Sequence, residues 1–319
     1  MSKEEEAEFS FDDLFSSSED LRTQQNAHVL IYGPEDVGKT FAALSISSKW
    51  TPELVKCLET NTLPRKRIVL GDIVHIGADL AALHGILERG FEVPHSFNVP
   101  LLLTPPKKGE RRPYFEHIED LINVLTDAVI ERVAKVQTKA VIFDTLSVLG
   151  QMFQKRANEK KEAGEFNSNS GTFDNFAMGR WTNDQFRTVH KLAMALPCIV
   201  IFCSHAKARS DGGITTEQKA KKQKDAKATY GAEAGATPQI VPDIPAWQEI
   251  SNMFTAPCSL ICSMSSTGSD KKQQKRLLHP AGGNGFMGKN KWRVNLSQEE
   301  EPNLNALFAK LAKAGMVGK

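Results

Sequence analysis

The chain has 319 residues, of which 40% are hydrophobic, and a formal net charge of +2. This length suffices for one large α/β domain or two small ones. The near-neutral charge excludes a polycation, so any contact with nucleic acid must be local. No apolar run approaches the roughly 20 residues of a membrane span, and the acidic N-terminus is unlike a secretory signal. We therefore expect a cytoplasmic protein without a membrane partner.

The cysteine count of five is odd. Four of them lie in or beside predicted buried strands, which indicates reduced core thiols, as in cytosolic proteins. The pair Cys258 and Cys262 lacks a second ligand pair at zinc spacing.

The first 24 residues are polar and strongly acidic, which predicts a disordered tail. We expect one domain over residues 25–319. Phe9, Phe11, Leu14 and Phe15 interrupt the acidic tail. They leave three alternatives open: a docking helix for a protein partner, a DNA mimic that covers a basic groove, or a solvated tail.

A phosphate-binding loop (P-loop) is predicted next, because G-x-x-x-x-G-K-[ST] is matched at every fixed position. A predicted strand, His28–Tyr32, precedes the motif, and a predicted helix, Thr40–Trp50, follows it. The glycines let backbone N–H groups point at phosphate oxygens, the lysine reaches the β- and γ-phosphates, and the threonine hydroxyl faces Mg²⁺. The motif consists of Gly33, Pro34, Glu35, Asp36, Val37, Gly38, Lys39 and Thr40.

Alternating helix and strand patterns follow, as expected for a mostly parallel sheet flanked by helices. The predicted strands span residues 67–75 and 97–103, and the predicted helices span 78–89 and 115–136.

The run Ala140–Asp144 is apolar and ends in an aspartate, which is the Walker B pattern. Its strand would deliver Asp144 beside the P-loop, where the carboxylate orders Mg²⁺ through water. Thr145–Ser147 lacks the D-x-x-G of GTPases, and Asn290–Arg293 lacks the aspartate of a guanine-reading motif. Adenine is therefore the default base, and ATP with Mg²⁺ the expected ligand.

A polar stretch over residues 151–180 indicates a long mobile loop, and 181–196 a helix. The apolar run 198–205 predicts a strand that ends at His205. Polar groups at such an end face the ligand crevice of an α/β sheet. His205 is thus a candidate γ-phosphate sensor, with a simple strand cap as the alternative.

Residues 206–235 are basic and rich in glycine and alanine, which indicates a second mobile loop. Composition leaves two interpretations open: contact with single-stranded nucleic acid, or a solvated lysine loop. The cations of the second loop are Lys207, Arg209, Lys219, Lys221, Lys222, Lys224 and Lys227.

Later patterns predict a helix over 245–254, strands over 258–264 and 276–279, and a helix over 303–314.

This order of parts resembles the RecA-like core ATPases, and more narrowly the short RecA-like ATPases of bacteriophages that act in single-strand annealing and recombination. The resemblance covers residues 25–315 and depends mainly on the P-loop, the Walker B strand and Ser204-His205. It implies a RecA-like fold, ATP hydrolysis and two loops that bind single-stranded DNA. It also implies that Lys291 and Arg293 reach the ATP of a neighbouring subunit in a filament or ring, and it places a phage-encoded protein in the host cytoplasm.

One departure concerns the carboxylate that RecA-like enzymes place just after the second strand to polarise water. Asp72 is the nearest candidate in the predicted strand 67–75, so hydrolysis is expected to be slow.

The functional hypotheses are a DNA-dependent ATPase in recombination, annealing or replication, a helicase-like motor core, or a protein that uses ATP only to assemble. A small-molecule kinase is less favoured, because no arginine-rich lid is evident.

Overall fold

The computed structural model describes residues 27–51, 64, 66–168, 170–208, 240–267, 275–280, 287–291 and 295–313. The predicted acidic tail lies outside the described residues. So do Cys57, Arg293 and every cation of the second predicted loop except Lys207.

A nine-stranded sheet forms the centre of the described chain. Its path runs β10-β9-β1-β7-β6-β3-β5, with β11 also paired to β9 and β8 to β7. Strands β2 (Ile68–Val69) and β4 (Phe91–Glu92) form a separate parallel pair. The strands of the large sheet are β1 (His28–Gly33), β3 (Ile73–Gly77), β5 (His95–Asn98), β6 (Ala140–Asp144), β7 (Ile199–Ala208), β8 (Ile240–Asp243), β9 (Leu260–Thr267), β10 (Lys275–His279) and β11 (Lys289–Asn290).

Six strands of this sheet run parallel, namely β1, β3, β5, β6, β7 and β9, whereas β8, β10 and β11 pair antiparallel. The carboxyl ends of the parallel strands therefore meet at one edge. The P-loop follows β1 at that edge, and Asp144 ends β6 there, with β7 between the two strands. The mostly parallel sheet flanked by helices confirms the predicted α/β fold class.

Helices cover both faces of the sheet, and each face has its own buried cluster. Helices α4 to α7 pack with Leu30, Val141 and Phe202 on one face. Helices α1 and α8 pack with Ile31, Ile142 and Ile201 on the other, as the alternation of side chains along a strand requires. The helices are α1 (Lys39–Leu44), α2 (Leu80–Glu88), α3 (Val99–Leu102), α4 (Ile118–Lys135), α5 (Leu146–Glu162), α6 (Asn175–Ala195), α7 (Gln248–Thr255) and α8 (Leu304–Lys313).

The helix after the P-loop is shorter than predicted and ends at Leu44 rather than at Trp50. Ser45 donates its hydroxyl to the carbonyl of Ala42 at 2.5 Å and accepts the N–H of Leu304 at 2.7 Å. Serine hydroxyls that bond to nearby backbone compete with helix continuation. The hydroxyl of Ser45 therefore ends α1 and also links its end to the first residue of α8.

Two predicted strands are also wrong in their extent. The run 67–75 is split into β2 and β3 by a turn at Gly71-Asp72, two residue types that favour turns. The run 97–103 is strand only to Asn98, whose side chain caps α3 by accepting the N–H of Leu101 at 3.0 Å. Pro100 then lies in the first helical turn, where its missing N–H costs nothing.

The predicted mobile loop over 151–180 is wrong for most of its length, since α5 runs to Glu162 and α6 begins at Asn175. Phe153 and Ala157 are fully buried on one stripe of α5. The other faces carry the polar residues that suggested a loop. A narrow apolar stripe within a polar sequence is enough for an amphipathic helix.

Other predictions are confirmed. The strands over 258–264 and 276–279 and the helix over 303–314 are present as β9, β10 and α8. Cys198, Cys203, Cys258 and Cys262 are free and buried. Within the described ranges, no helix combines the length and the apolar character needed to cross a membrane.

Candidate nucleotide-binding site

The P-loop leaves β1 at Gly33, where the backbone lies close to β9. A Cβ atom on Gly33 would lie 2.7 Å from the carbonyl oxygen of Met264, so only glycine fits. Asp36 and Gly38 have positive φ angles of 58° and 93°. These left-handed residues curl the loop, and loops of this kind direct N–H groups into an anion-binding concavity.

Lys39 opens α1 and is only 6% exposed. Its Nζ donates to the carbonyl oxygens of Pro34 at 2.5 Å and Gly33 at 3.2 Å. Burial lowers the pKa of Lys39, and the negative charge of Asp144 opposes that shift. The ammonium group is thus held inside the loop by the loop's own carbonyls.

Asp144 joins the P-loop to β6. Thr40 donates its hydroxyl to Asp144 Oδ2 at 2.7 Å, and His75 Nε2 lies 3.4 Å from the same oxygen. Burial alone would raise the pKa of Asp144, but hydrogen bonds from His75 and Thr40 and the charge of Lys39 hold it below its usual value. Asp144 is therefore a buried carboxylate in its ionised form.

His75 is a site residue that the sequence analysis did not assign. It is fully buried in β3, and its Nδ1 lies 3.1 Å from Ser96 Oγ on β5. The sequence signal was a lone imidazole in an apolar strand. Only the pairing of β3 with β6 places this ring against Asp144.

The residues at this position fit Mg²⁺. Asp144 Oδ1 is buried and has no hydrogen-bond partner within the described residues. An orphaned carboxylate oxygen beside a threonine hydroxyl suits a cation whose remaining ligands are water and phosphate. The described chain contains no group of three or more His, Cys, Asp or Glu side chains that would form an all-protein metal cage.

The assignment of Asp72 as the catalytic carboxylate is wrong. Asp72 precedes β3 and accepts hydrogen bonds from Ser47 Oγ at 2.5 Å and Ser48 N at 2.7 Å. Strand β3 then runs toward the Asp144 edge, where Gly77 pairs with Asp144. At about 3.3 Å per residue, Asp72 lies at the opposite edge of the sheet from the P-loop.

Asp79 occupies the position that Asp72 was expected to fill. It follows β3 by two residues, and the N–H of the adjacent Ala78 donates to the carbonyl oxygen of Asp144 at 2.6 Å. The charge of Asp79 also acts on the pKa of His205. This carboxylate therefore belongs to the same edge as the P-loop and the Walker B aspartate.

His205 lies beside the P-loop, because it pairs with Gly33 across β1 and β7. The ring nitrogen Nδ1 of His205 is 3.7 Å from Glu35 Oε1, and the backbone N–H of His205 donates to Ser147 Oγ at 2.8 Å. Burial and the charge of Lys39 lower the pKa of His205. Strand β7 continues to Ala208, so the predicted end of the strand at His205 is wrong. The roles of γ-phosphate sensor and of structural histidine both stay predictions.

Two other predicted cations have partners outside the P-loop. Lys291 donates its N–H to Ser259 at 2.9 Å, at the amino end of β9 and therefore at the edge opposite its own P-loop. Lys207 Nζ forms an ion pair with Asp243 Oδ1 at 3.0 Å.

A cavity of about 500 Å³ lies between α5 and α6, beside the segment that follows the end of β8. Asn183 is buried there and accepts the N–H of Trp247 at 3.3 Å, while its Nδ2 has no hydrogen-bond partner among the described residues. Trp247 is 45% exposed. The lining of the cavity is rich in amide side chains and includes Gln154, Asn158, Asn175, Asn183, Lys207 and Trp247.

Comparison with known proteins finds similarity to solved structures only. No protein-family model matches it, and no curated protein matches it. Among solved structures, it is similar to a KaiC-like protein from the hyperthermophilic archaeon Pyrococcus horikoshii. The identity is 9% and the TM-score 0.32, over 79% of this chain and 76% of that chain. A likeness this distant carries no functional argument, so function depends on the geometry of the site.

Proposed function

We propose that the chain binds Mg·ATP on residues 33–40 and hydrolyses it. One observation carries this proposal: Thr40 Oγ1 and Asp144 Oδ2 are 2.7 Å apart although 104 positions separate the two residues. The P-loop thus meets the Walker B motif, which is a weak signal alone, at one point, as nucleoside triphosphate chemistry requires. The absence of a guanine-reading motif in the sequence favours adenine.

Each side chain of the site has a role in this mechanism. Lys39 and the backbone N–H groups of the loop hold the β- and γ-phosphates, and Thr40 with Asp144 would hold Mg²⁺. When bound, Mg²⁺ neutralises charge on the phosphate oxygens. Asp79 orients the attacking water and accepts its proton. His205 is neutral at pH 7, because its pKa is lowered, and it hydrogen-bonds to the γ-phosphate.

We further propose that ATP controls binding of single-stranded DNA, as in phage-type recombination, annealing or replication. The basic segment 209–239 connects Ala208, the last residue of β7, to Ile240, the first residue of β8, and these two residues pair with each other. Tyr32, the residue before the P-loop, has its hydroxyl 2.6 Å from the carbonyl of Met287 and 3.2 Å from that of Ile240. The P-loop strand and the base of the basic segment are therefore joined directly.

The cavity beside β8 supports the same proposal. Exposed aromatic rings and free amide donors are what nucleobases contact in single-stranded nucleic acid. Trp247 supplies the ring, and the amides of the lining supply donors, among them Asn183 Nδ2, which has no hydrogen-bond partner within the described ranges. Phosphates of the same strand would contact the cations of the basic segment.

We expect single-stranded DNA to stimulate ATP hydrolysis at low salt, and the stimulation to fall steeply as salt rises. Changing Trp247 to alanine should weaken DNA binding by roughly tenfold, the loss of one stacked base, without changing unstimulated hydrolysis. Steady-state turnover and fluorescence anisotropy with a labelled oligonucleotide measure both effects. Tyr114→Ala is the control, since Tyr114 is similarly exposed, at 41%, but lies outside the cavity.

Hydrolysis without any response to DNA would leave ATP hydrolysis standing and remove the DNA proposal. Equal losses in Trp247→Ala and Tyr114→Ala would remove the cavity from the DNA site.

The second candidate function is assembly gated by ATP, and the position of Lys291 favours it. Lys291 lies at the edge opposite its own P-loop, so it reaches a nucleotide only in a head-to-tail neighbour. We propose that Lys291 and Arg293, the latter outside the described residues, complete the site of the next subunit. The active unit is then a filament or ring.

Mixing two inactive variants tests this arrangement. Lys39→Ala removes the phosphate-binding lysine from the subunit's own nucleotide site, and Arg293→Ala removes the arginine that would complete the site of the neighbouring subunit. Each variant alone should hydrolyse little ATP, whereas an equal mixture should regain activity, because some sites combine an intact P-loop with an intact arginine. Normal turnover by Arg293→Ala alone, or a mixture with no activity, would refute a shared site.

A further inference from the structure

The side chain of Arg276 contacts the P-loop from β10, which lies two strands away from β1 in the sheet. It lies on β10, opposite Ser266 of β9, and β9 in turn pairs with β1. A Cβ atom on Gly38 would lie 3.0 Å from Nη1 of Arg276 and 3.2 Å from its Cδ. The guanidinium group therefore lies directly against the P-loop backbone, at a glycine whose φ of 93° already excludes most side chains.

A second guanidinium group lies nearby. Arg89 Cζ is 5.2 Å from the ring centroid of Phe41, the residue after Thr40. Arg89 is also close enough to Arg276 to depress its pKa, although burial is the larger cause. Two guanidinium groups therefore lie close to the P-loop, one against Gly38 and one over the ring of Phe41.

Neither guanidinium group forms an ion pair within 4.0 Å in the part of the chain that the structure describes. Asp36 influences Arg276 only at longer range. Two like charges that are partly removed from water repel each other unless an anion lies between or beside them. The arrangement is therefore that of an anion-binding subsite next to the P-loop.

The order of strands identifies which part of a nucleotide this subsite meets. Asp144 and His205 come from β6 and β7, on one side of β1, and they mark the γ-phosphate end. Arg276 comes from β10, on the other side of β1. A triphosphate laid along the loop thus has its α-phosphate, and the sugar attached to it, at Arg276.

We propose that Arg276, assisted by Arg89, binds the α-phosphate of the nucleotide held by its own chain. The inference rests on the nucleotide binding proposed above and adds an arginine within the same subunit. Because ATP and ADP share the α-phosphate, Arg276 contributes equally to the binding of both. It sets nucleotide affinity and does not distinguish the two hydrolysis states.

Calorimetric titration of the full chain with Mg·ATP and with Mg·ADP tests the proposal. Arg276→Gln should weaken both ligands by the same factor, about tenfold to a hundredfold, as for loss of a charged hydrogen bond. Arg276→Lys should recover part of the affinity. Lys275→Ala is the matched control, since it removes an exposed cation from the adjacent position of β10. Thermal melting checks that each variant is folded.

The outcomes separate the two proposals. If wild-type protein binds neither nucleotide, both proposals fail. If it binds both and Arg276→Gln binds them equally well, only the arginine subsite is refuted. A loss confined to ATP would place Arg276 at the γ-phosphate and would also overturn the inference. His205→Ala gives the contrasting pattern, with a loss expected for ATP and not for ADP.

Discussion

Changing Asp79 to asparagine is expected to lower ATP turnover by about 10²- to 10⁴-fold, the usual contribution of a positioned general base. Asparagine has nearly the same shape but accepts no proton, so ATP binding should remain. Asp79 is the carboxylate at the Asp144 edge of β3, beside the Ala78 N–H that donates to Asp144. Single-turnover hydrolysis and calorimetric titration with ATP measure the two quantities separately.

Asp72→Asn provides the matched control at the other end of β3. It should keep normal turnover but lower the free energy of unfolding by about 1–3 kcal/mol, because Ser47 Oγ and Ser48 N–H lose a charged acceptor. Chemical denaturation measures that loss. Turnover that falls in Asp72→Asn but not in Asp79→Asn would restore the assignment made from sequence and refute the one made from structure.

Lys39→Ala is expected to weaken ATP binding by about tenfold to a hundredfold and to lower turnover by about a hundredfold to a thousandfold. Lys39 is only 6% exposed, and its ammonium group is held by the carbonyls of Gly33 and Pro34, so the substitution removes a buried positive charge from the P-loop. Titration and steady-state hydrolysis measure the two effects.

Lys49→Ala is the comparison for Lys39, since it removes an exposed lysine from the segment that follows the same helix. It should leave both binding and turnover unchanged. Hydrolysis at the wild-type rate by Lys39→Ala would show that the P-loop is not the active site. An Asp144→Asn preparation made in parallel would reveal contaminating ATPases.

Local motifs made much of the site predictable. The P-loop and the Walker B strand are contiguous runs whose residue types follow from phosphate chemistry and from burial within a parallel sheet. The position of His205 was also predictable, because the run 198–205 is apolar and ends in polar residues. The roles of these residues stay predictions until nucleotide is measured.

The misses came from information that adjacent residues do not carry. Asp72 and Asp79 flank one strand, and only the end of β3 at Gly77 shows which of them meets Asp144. The approach of Arg276 to Gly38 depends on β10 lying two strands from β1. The helix α5 was missed because its buried stripe is narrow and its polar residues dominate composition.

The pairing of Ala208 with Ile240 has a consequence for how this chain can vary. Antiparallel partners lie about 5 Å apart, so the two residues that flank positions 209–239 are held next to each other in the sheet. Doubling the length of such an excursion costs only about 0.6 kcal/mol in closure entropy. Residues 209–239 can therefore change in number without moving the strands β7 and β8 that flank them.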